Sequence, residues 1–119
     1  MSKIEEIKVQ RKWANNKLLE KNSEVYKAFL QMEKATYCDG AVSRKNKELI
    51  AVGISVVINC ESCMQWHVEQ AVVCGATEKE IIEAIEVGIE MGGGPATAYA
   101  RFALEVLDRV LNHKQKKEQ

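Results

Sequence analysis

Cys60, Cys63 and His67 place two thiols and an imidazole at i, i+3 and i+7 in the stretch Cys60-Glu61-Ser62-Cys63-Met64-Gln65-Trp66-His67. At ~100° per residue, a helix through these positions would hold all three within an arc of about 60°. Two sulfurs that close can interconvert between dithiol and disulfide, and the imidazole, with an ordinary pKa near 6.5, can move the proton that the exchange requires. A sulfenic acid formed on one cysteine can be captured by the other within the same turn. The thiolate is the nucleophile, and Cys60 falls where free backbone N–H groups and the positive end of a helix stabilise an anion. Helix-end physics therefore points to Cys60 as the more acidic thiol, with Cys63 one turn further in and able to share the same donors. A carboxylate must orient the imidazole and pass the proton on. Glu48, Glu61 and Glu69 all lie in range, and spacing does not choose among them.

The elements that must position these groups read as helices throughout, about six of them, with no convincing strand. The first spans about residues 4–20, with imperfect apolar periodicity. Ser23 caps a second that carries Tyr26, Phe29, Leu30 and Met32 at helical spacing. Asp39-Gly40 marks a turn, and Ser43 caps a third helix over about 44–58. Its β-branched end, Ile54 to Ile58, has strand propensity, but the helical period continues from Leu49 and no partner strand is present, so 49–58 reads as a buried helix. The fourth spans about 61–74 and stops at Gly75. Thr77 and Glu80 form a capping box for the fifth, and Gly92-Gly93-Gly94-Pro95 ends it, with Pro95 expected as the first residue of the sixth.

The chain of 119 residues fits a single all-α domain over 1–119, with 1–22 as a loosely attached N-terminal helix and 114–119 as a frayed tail. A hydrophobic content of 46% is enough for a core that needs no disulfide. Seventeen basic and 17 acidic side chains balance to zero, which argues against nucleic acid or an anionic membrane as partner. No stretch reaches the ~18 apolar residues of a membrane span, and the charged start lacks an apolar leader core, so a cytoplasmic location is expected. In that compartment a CxxC pair is redox-active or metal-binding more often than structural. Cys38 and Cys74 read as small buried hydrophobes. Met64 and Trp66 read as core or interface residues, Tyr99 as a candidate to line the site, and His113 as a cation near a helix C-terminus.

Glu48, followed after eleven residues by Cys60-x-x-Cys63-x-x-x-His67, resembles the signature of the alkylhydroperoxidase D / carboxymuconolactone decarboxylase family, and Gly94-Pro95 is similar to that family's turn after a helix. The resemblance covers residues 42–102. It implies an all-α helical bundle of the alkylhydroperoxidase D-like type, assembled as a homotrimer or homohexamer. It also implies a thiol-dependent peroxidase or disulfide oxidoreductase in which Cys63 becomes the sulfenic acid, Cys60 resolves it, and Glu48 and His67 relay the proton. The substrate would be a peroxide or a disulfide, the reductant an external dithiol such as a lipoyl group or a thioredoxin-like protein, and no bound cofactor or metal is required. Peroxidase members of the family carry a second histidine between the cysteines, where this chain has Ser62. The decarboxylase branch lacks the CxxC pair. Two alternatives stand beside this reading: a zinc-stabilised, non-catalytic helical module using Cys60, Cys63 and His67, and a lactone decarboxylase-type enzyme using His67 and Glu48 as acid and base.

Overall fold

The computed structural model describes residues 1–118, the last by its backbone alone. Six helices follow one another, α1 (Lys3–Glu20), α2 (Glu24–Thr36), α3 (Arg44–Val57), α4 (Glu61–Val73), α5 (Glu78–Gly92) and α6 (Gly94–Glu118), with no strand among the described residues. The sequence fixes their starts through caps. Ser2, Ser23 and Ser43 each accept a backbone N–H three residues on, and Thr77 and Glu80 close a reciprocal capping box. Asn22 (φ 56°), Asn59 (φ 54°) and Gly75 (φ 89°) supply the left-handed residue that turns the chain out of α1, α3 and α4. Gly94 takes the first position of α6 and Pro95 the second, one residue from the expected start. The helix then continues through Lys114–Glu118, where the sequence reading expects fraying; Gln119 lies outside the described residues.

The core belongs to α3–α6. Val52 and Val56 of α3, Met64, Val68 and Ala71 of α4, and Ile81 and Ile85 of α5 meet Ala96, Ala100, Ala103 and Val106 of α6, all essentially inaccessible. α3 and α5 cross backbone to backbone. A Cβ on Gly88 would sit 2.6 Å from the Gly53 carbonyl oxygen and 3.0 Å from Val56 Cβ. α1 contributes only Ile4 to the buried set, and α2 contributes none. Both lie outside the four-helix core, with α1 against α4 and α2 against α1.

Two expectations need correction. The apolar run 49–58 is not buried on all sides: Val52 and Val56 face the core, whereas Ile50, Ile54 and Ile58 are more than half exposed, because one face of α3 has no neighbour within the chain. Cys38 is exposed, in the loop between α2 and α3, with its thiol turned back onto the Ala35 carbonyl.

Gly88→Ala is expected to push α3 and α5 apart and to cost about 1–3 kcal/mol, the range for overpacking a filled core. Urea titration followed by circular dichroism measures this, and an unchanged midpoint would show that the crossing has slack.

Candidate active site at the start of helix 4

The first turn of α4 is built around sulfur. α3 ends at Ile58, Asn59 reverses the chain, and the Cys60 N–H bonds to the Ser55 carbonyl at 3.0 Å. Cys60 is therefore the N-cap, with extended backbone (φ −96°, ψ 96°), and not a helical residue. The common helical arc drawn from spacing thus applies to Cys63 and His67 but not to Cys60. The Cys63 N–H donates to Cys60 Sγ at 3.2 Å, so a sulfur fills the role that serine or threonine oxygen plays at the other caps. The two sulfurs are joined as a disulfide, with Cα atoms 5.2 Å apart, and both residues are half-buried.

His67 follows Cys63 by four residues within α4, so the two side chains are neighbours on one face. Its Nδ1 lies 2.7 Å from Glu48 Oε1 of α3. The Glu48 side chain is 2% exposed and that of His67 14%. With Glu48 ionised, Nδ1 carries the proton and donates, which leaves Nε2 as the nitrogen able to accept one. The other Glu48 oxygen faces Arg44 Nε at 3.9 Å, while Arg44 Nη2 donates to Gln70 at 3.0 Å. Arg44 Nε is buried without a hydrogen-bond partner.

The geometry selects Glu48 from the three candidate carboxylates. Glu61 is taken up by Lys3 at 2.6 Å, and Glu69 accepts from Gln65 at 2.6 Å. Tyr99, a sequence candidate for this site, instead packs against the core from α6. The aromatic residue at the imidazole is Tyr37, the C-cap of α2, whose ring centre lies 5.1 Å from that of His67. Burial, and then the charges of Glu48 and Glu33, push the Tyr37 phenol above its ordinary pKa. Tyr37 is held there by its loop: Arg44 N–H donates to Asp39 at 2.8 Å, and Lys47 Nζ donates to the Cys38 carbonyl at 2.9 Å. No local pattern in the sequence marks Tyr37, because it reaches the site across the α2–α3 loop. Arg44 was visible only as a cation four residues before Glu48.

The arrangement combines a disulfide at a helix start with a buried carboxylate–imidazole couple one turn away. Among the described residues, no three His, Cys, Asp or Glu side chains converge on a point where an ion could sit. No helix is long and apolar enough to cross a membrane.

Known proteins share the fold of this chain. Residues 23–106 match the carboxymuconolactone decarboxylase family. An uncharacterized protein of the cox locus of Paracoccus denitrificans is 45% identical over 83 residues, 70% of this chain and 75% of that protein. A carboxymuconolactone decarboxylase family protein from Legionella pneumophila, solved in its apo form, superposes with a TM-score of 0.87 at 31% identity, covering 92% of this chain and 98% of that one. A family member from Thermotoga maritima, whose description raises an involvement in antioxidative response, superposes with a TM-score of 0.83 at 26% identity over 93% and 95% of the two chains.

Glu48→Gln removes one of the two negative charges that hold the Tyr37 phenol in its protonated form. The Tyr37 pKa is then expected to fall toward its ordinary value, since only burial and Glu33 remain to raise it. Titration of the Tyr37 ring resonances by NMR checks this; an unmoved pKa would mean that Glu48 and Tyr37 do not sense one another.

Proposed function

This chain belongs to the carboxymuconolactone decarboxylase family, and from that premise we propose that it acts in the dithiol branch, as a thiol-dependent peroxidase or disulfide oxidoreductase. The observation that carries this reading is the 2.7 Å contact between buried Glu48 and His67, one helical turn from Cys63 of a bonded Cys60–Cys63 pair. A buried carboxylate beside an imidazole is a poised proton relay, and its position next to a redox pair gives it a proton to move.

The cycle begins from the dithiol. His67 Nε2 takes the Cys63 thiol proton, and the thiolate attacks the terminal oxygen of a hydroperoxide. The O–O bond breaks, the alkoxide leaves with a proton from His67, and Cys63 becomes a sulfenic acid. Cys60 then attacks the Cys63 sulfur, the S–O bond breaks, and water departs. The net change converts ROOH and two thiols to ROH, water and the Cys60–Cys63 disulfide. An external dithiol, lipoyl or thioredoxin-like, returns two electrons and two protons by thiol–disulfide exchange. A disulfide substrate would enter as a mixed disulfide on the same sulfur. Attack is assigned to Cys63 because His67 is its neighbour on α4, whereas Cys60 holds the cap. No cofactor takes part, and a cytoplasmic, reducing setting suits a dithiol that must be restored after each turnover.

We also infer assembly into a homotrimer or homohexamer. Ile50, Ile54, Val87 and Met91 are all more than half exposed and flank an apolar groove of about 490 Å³ floored by Gly53 and Gly88. An apolar face of this kind on a chain without net charge favours association with further copies.

Cys63→Ser is expected to abolish peroxide consumption with helicity unchanged, and His67→Gln to lower kcat/KM by about 10²–10⁴-fold, the usual contribution of a general base. Cys60→Ser should accumulate a sulfenic acid on Cys63, trapped by dimedone and read by mass. Peroxide turnover persisting in Cys63→Ser would overturn the scheme. Ile54→Glu is expected to shift the chain toward monomer in light scattering, and an unchanged assembly mass would remove α3 from the interface.

A further inference from the structure

α1 reaches the turn that carries the two cysteines through Arg11. Arg11 donates from Nη2 to both the carbonyl oxygen (2.7 Å) and the hydroxyl (2.9 Å) of Ser62, the residue between the two cysteines, and from Nη1 to Gln65 Oε1 at 2.6 Å. Its guanidinium also lies 5.6 Å from the centre of the Trp66 ring. All three hydrogen-bond acceptors are neutral. Among the described residues Arg11 forms no ion pair, although carboxylates are close by. Glu61 is held by Lys3, and Glu69 is shared between Gln65 and Lys8. The result is a half-buried cation hydrogen-bonded only to neutral groups, with the Glu69 and Glu33 charges acting on it from longer range, fixed on the first turn of α4 while the cysteines are oxidised.

We propose that Arg11, held on Ser62 between the two cysteines, is a positioning residue that stabilises the thiolate generated when the Cys60–Cys63 disulfide is reduced. Reduction by an external dithiol breaks the S–S bond, delivers two electrons and one proton, and leaves one thiol and one thiolate on the turn that Arg11 holds. The guanidinium then gains an opposite charge on the turn where it had hydrogen-bonded only to neutral groups. This favours the reduced form and makes the disulfide the more readily reduced. Burial disfavours the Arg11 charge by more than Glu69 and Glu33 favour it, so a new anion on this turn has more effect than it would at the open surface. Other charged or titratable groups around the turn act differently. His67 is engaged with Glu48, which Arg44 faces from α3; Tyr37 comes from the end of α2; and Lys3 and Glu61 neutralise each other. Arg11 lies outside the residues matched by the family, 23–106, so this control belongs to α1.

The inference rests on the dithiol reading above but is tested without peroxide. Wild type, Arg11→Gln and Arg11→Lys are equilibrated against dithiothreitol redox buffers, and the Cys thiolate is titrated by absorbance at 240 nm. Arg11→Gln is expected to lower the equilibrium constant for reduction about tenfold, equivalent to about 30 mV, and to raise the thiol pKa by about one unit. Arg11→Lys should restore most of both. A structural role alone would move melting temperature and leave these two readouts in place. Constants for Arg11→Gln within twofold of wild type overturn the proposal, as does failure of Arg11→Lys to differ from Arg11→Gln. If Arg11→Gln does not fold, the side-chain nitrogen resonances of Arg11 in the wild-type protein decide: a shift on reduction supports the pairing, and none overturns it. A normal redox titration together with no peroxide consumption would instead fault the peroxidase reading and leave Arg11 in place.

Discussion

A carboxyl group almost wholly removed from water between two helices is tolerated only when its surroundings replace the lost hydration. Glu48 meets that condition through His67 at 2.7 Å and, at longer range, through Arg44. The contact joins the second turn of α3 to the middle of α4, so it fixes the height of one helix against the other. That height determines where Cys60 falls after the Asn59 turn, and so where the disulfide begins. Removing either partner would leave a buried polar group unmatched at the α3–α4 seam. Chemistry and packing therefore depend on the same pair.

The remaining architecture serves that seam. α5 and α6 close the core from the other side, and the glycine crossing brings α3 and α5 near enough to hold α3 rigid. α1 and α2 add little buried surface. Their contribution is two side chains delivered to the site from outside the core: Tyr37 on the imidazole and Arg11 on Ser62. Elements that look peripheral by burial are central by position.

Much of this was readable in the chain, for definite reasons. Serine and threonine caps, Asn59, Gly75 and the Thr77–Glu80 box act through local backbone geometry, and each marks its helix boundary to within a residue or two. The pairing of Cys63 with His67 was legible as spacing, and Glu48 joined them only through the family resemblance. Choosing Glu48 over Glu61 and Glu69 by physics alone required knowing which carboxylates are held by Lys3 and Gln65, and those contacts join residues far apart in sequence or compete locally. Tyr37 and Arg11 were missed for the same reason. The exposure of Cys38 and of one face of α3 also escaped, because composition says how much apolar surface a chain carries but not which part a single copy leaves uncovered.

Cys60 is both one end of the disulfide and the cap of α4. Every change in its oxidation state alters the acceptor offered to the Cys63 amide: a divalent sulfur in the disulfide, a stronger, charged acceptor as thiolate. The backbone itself thus registers the electron count. Amide exchange in this single turn becomes a label-free gauge of how much of the protein is oxidised.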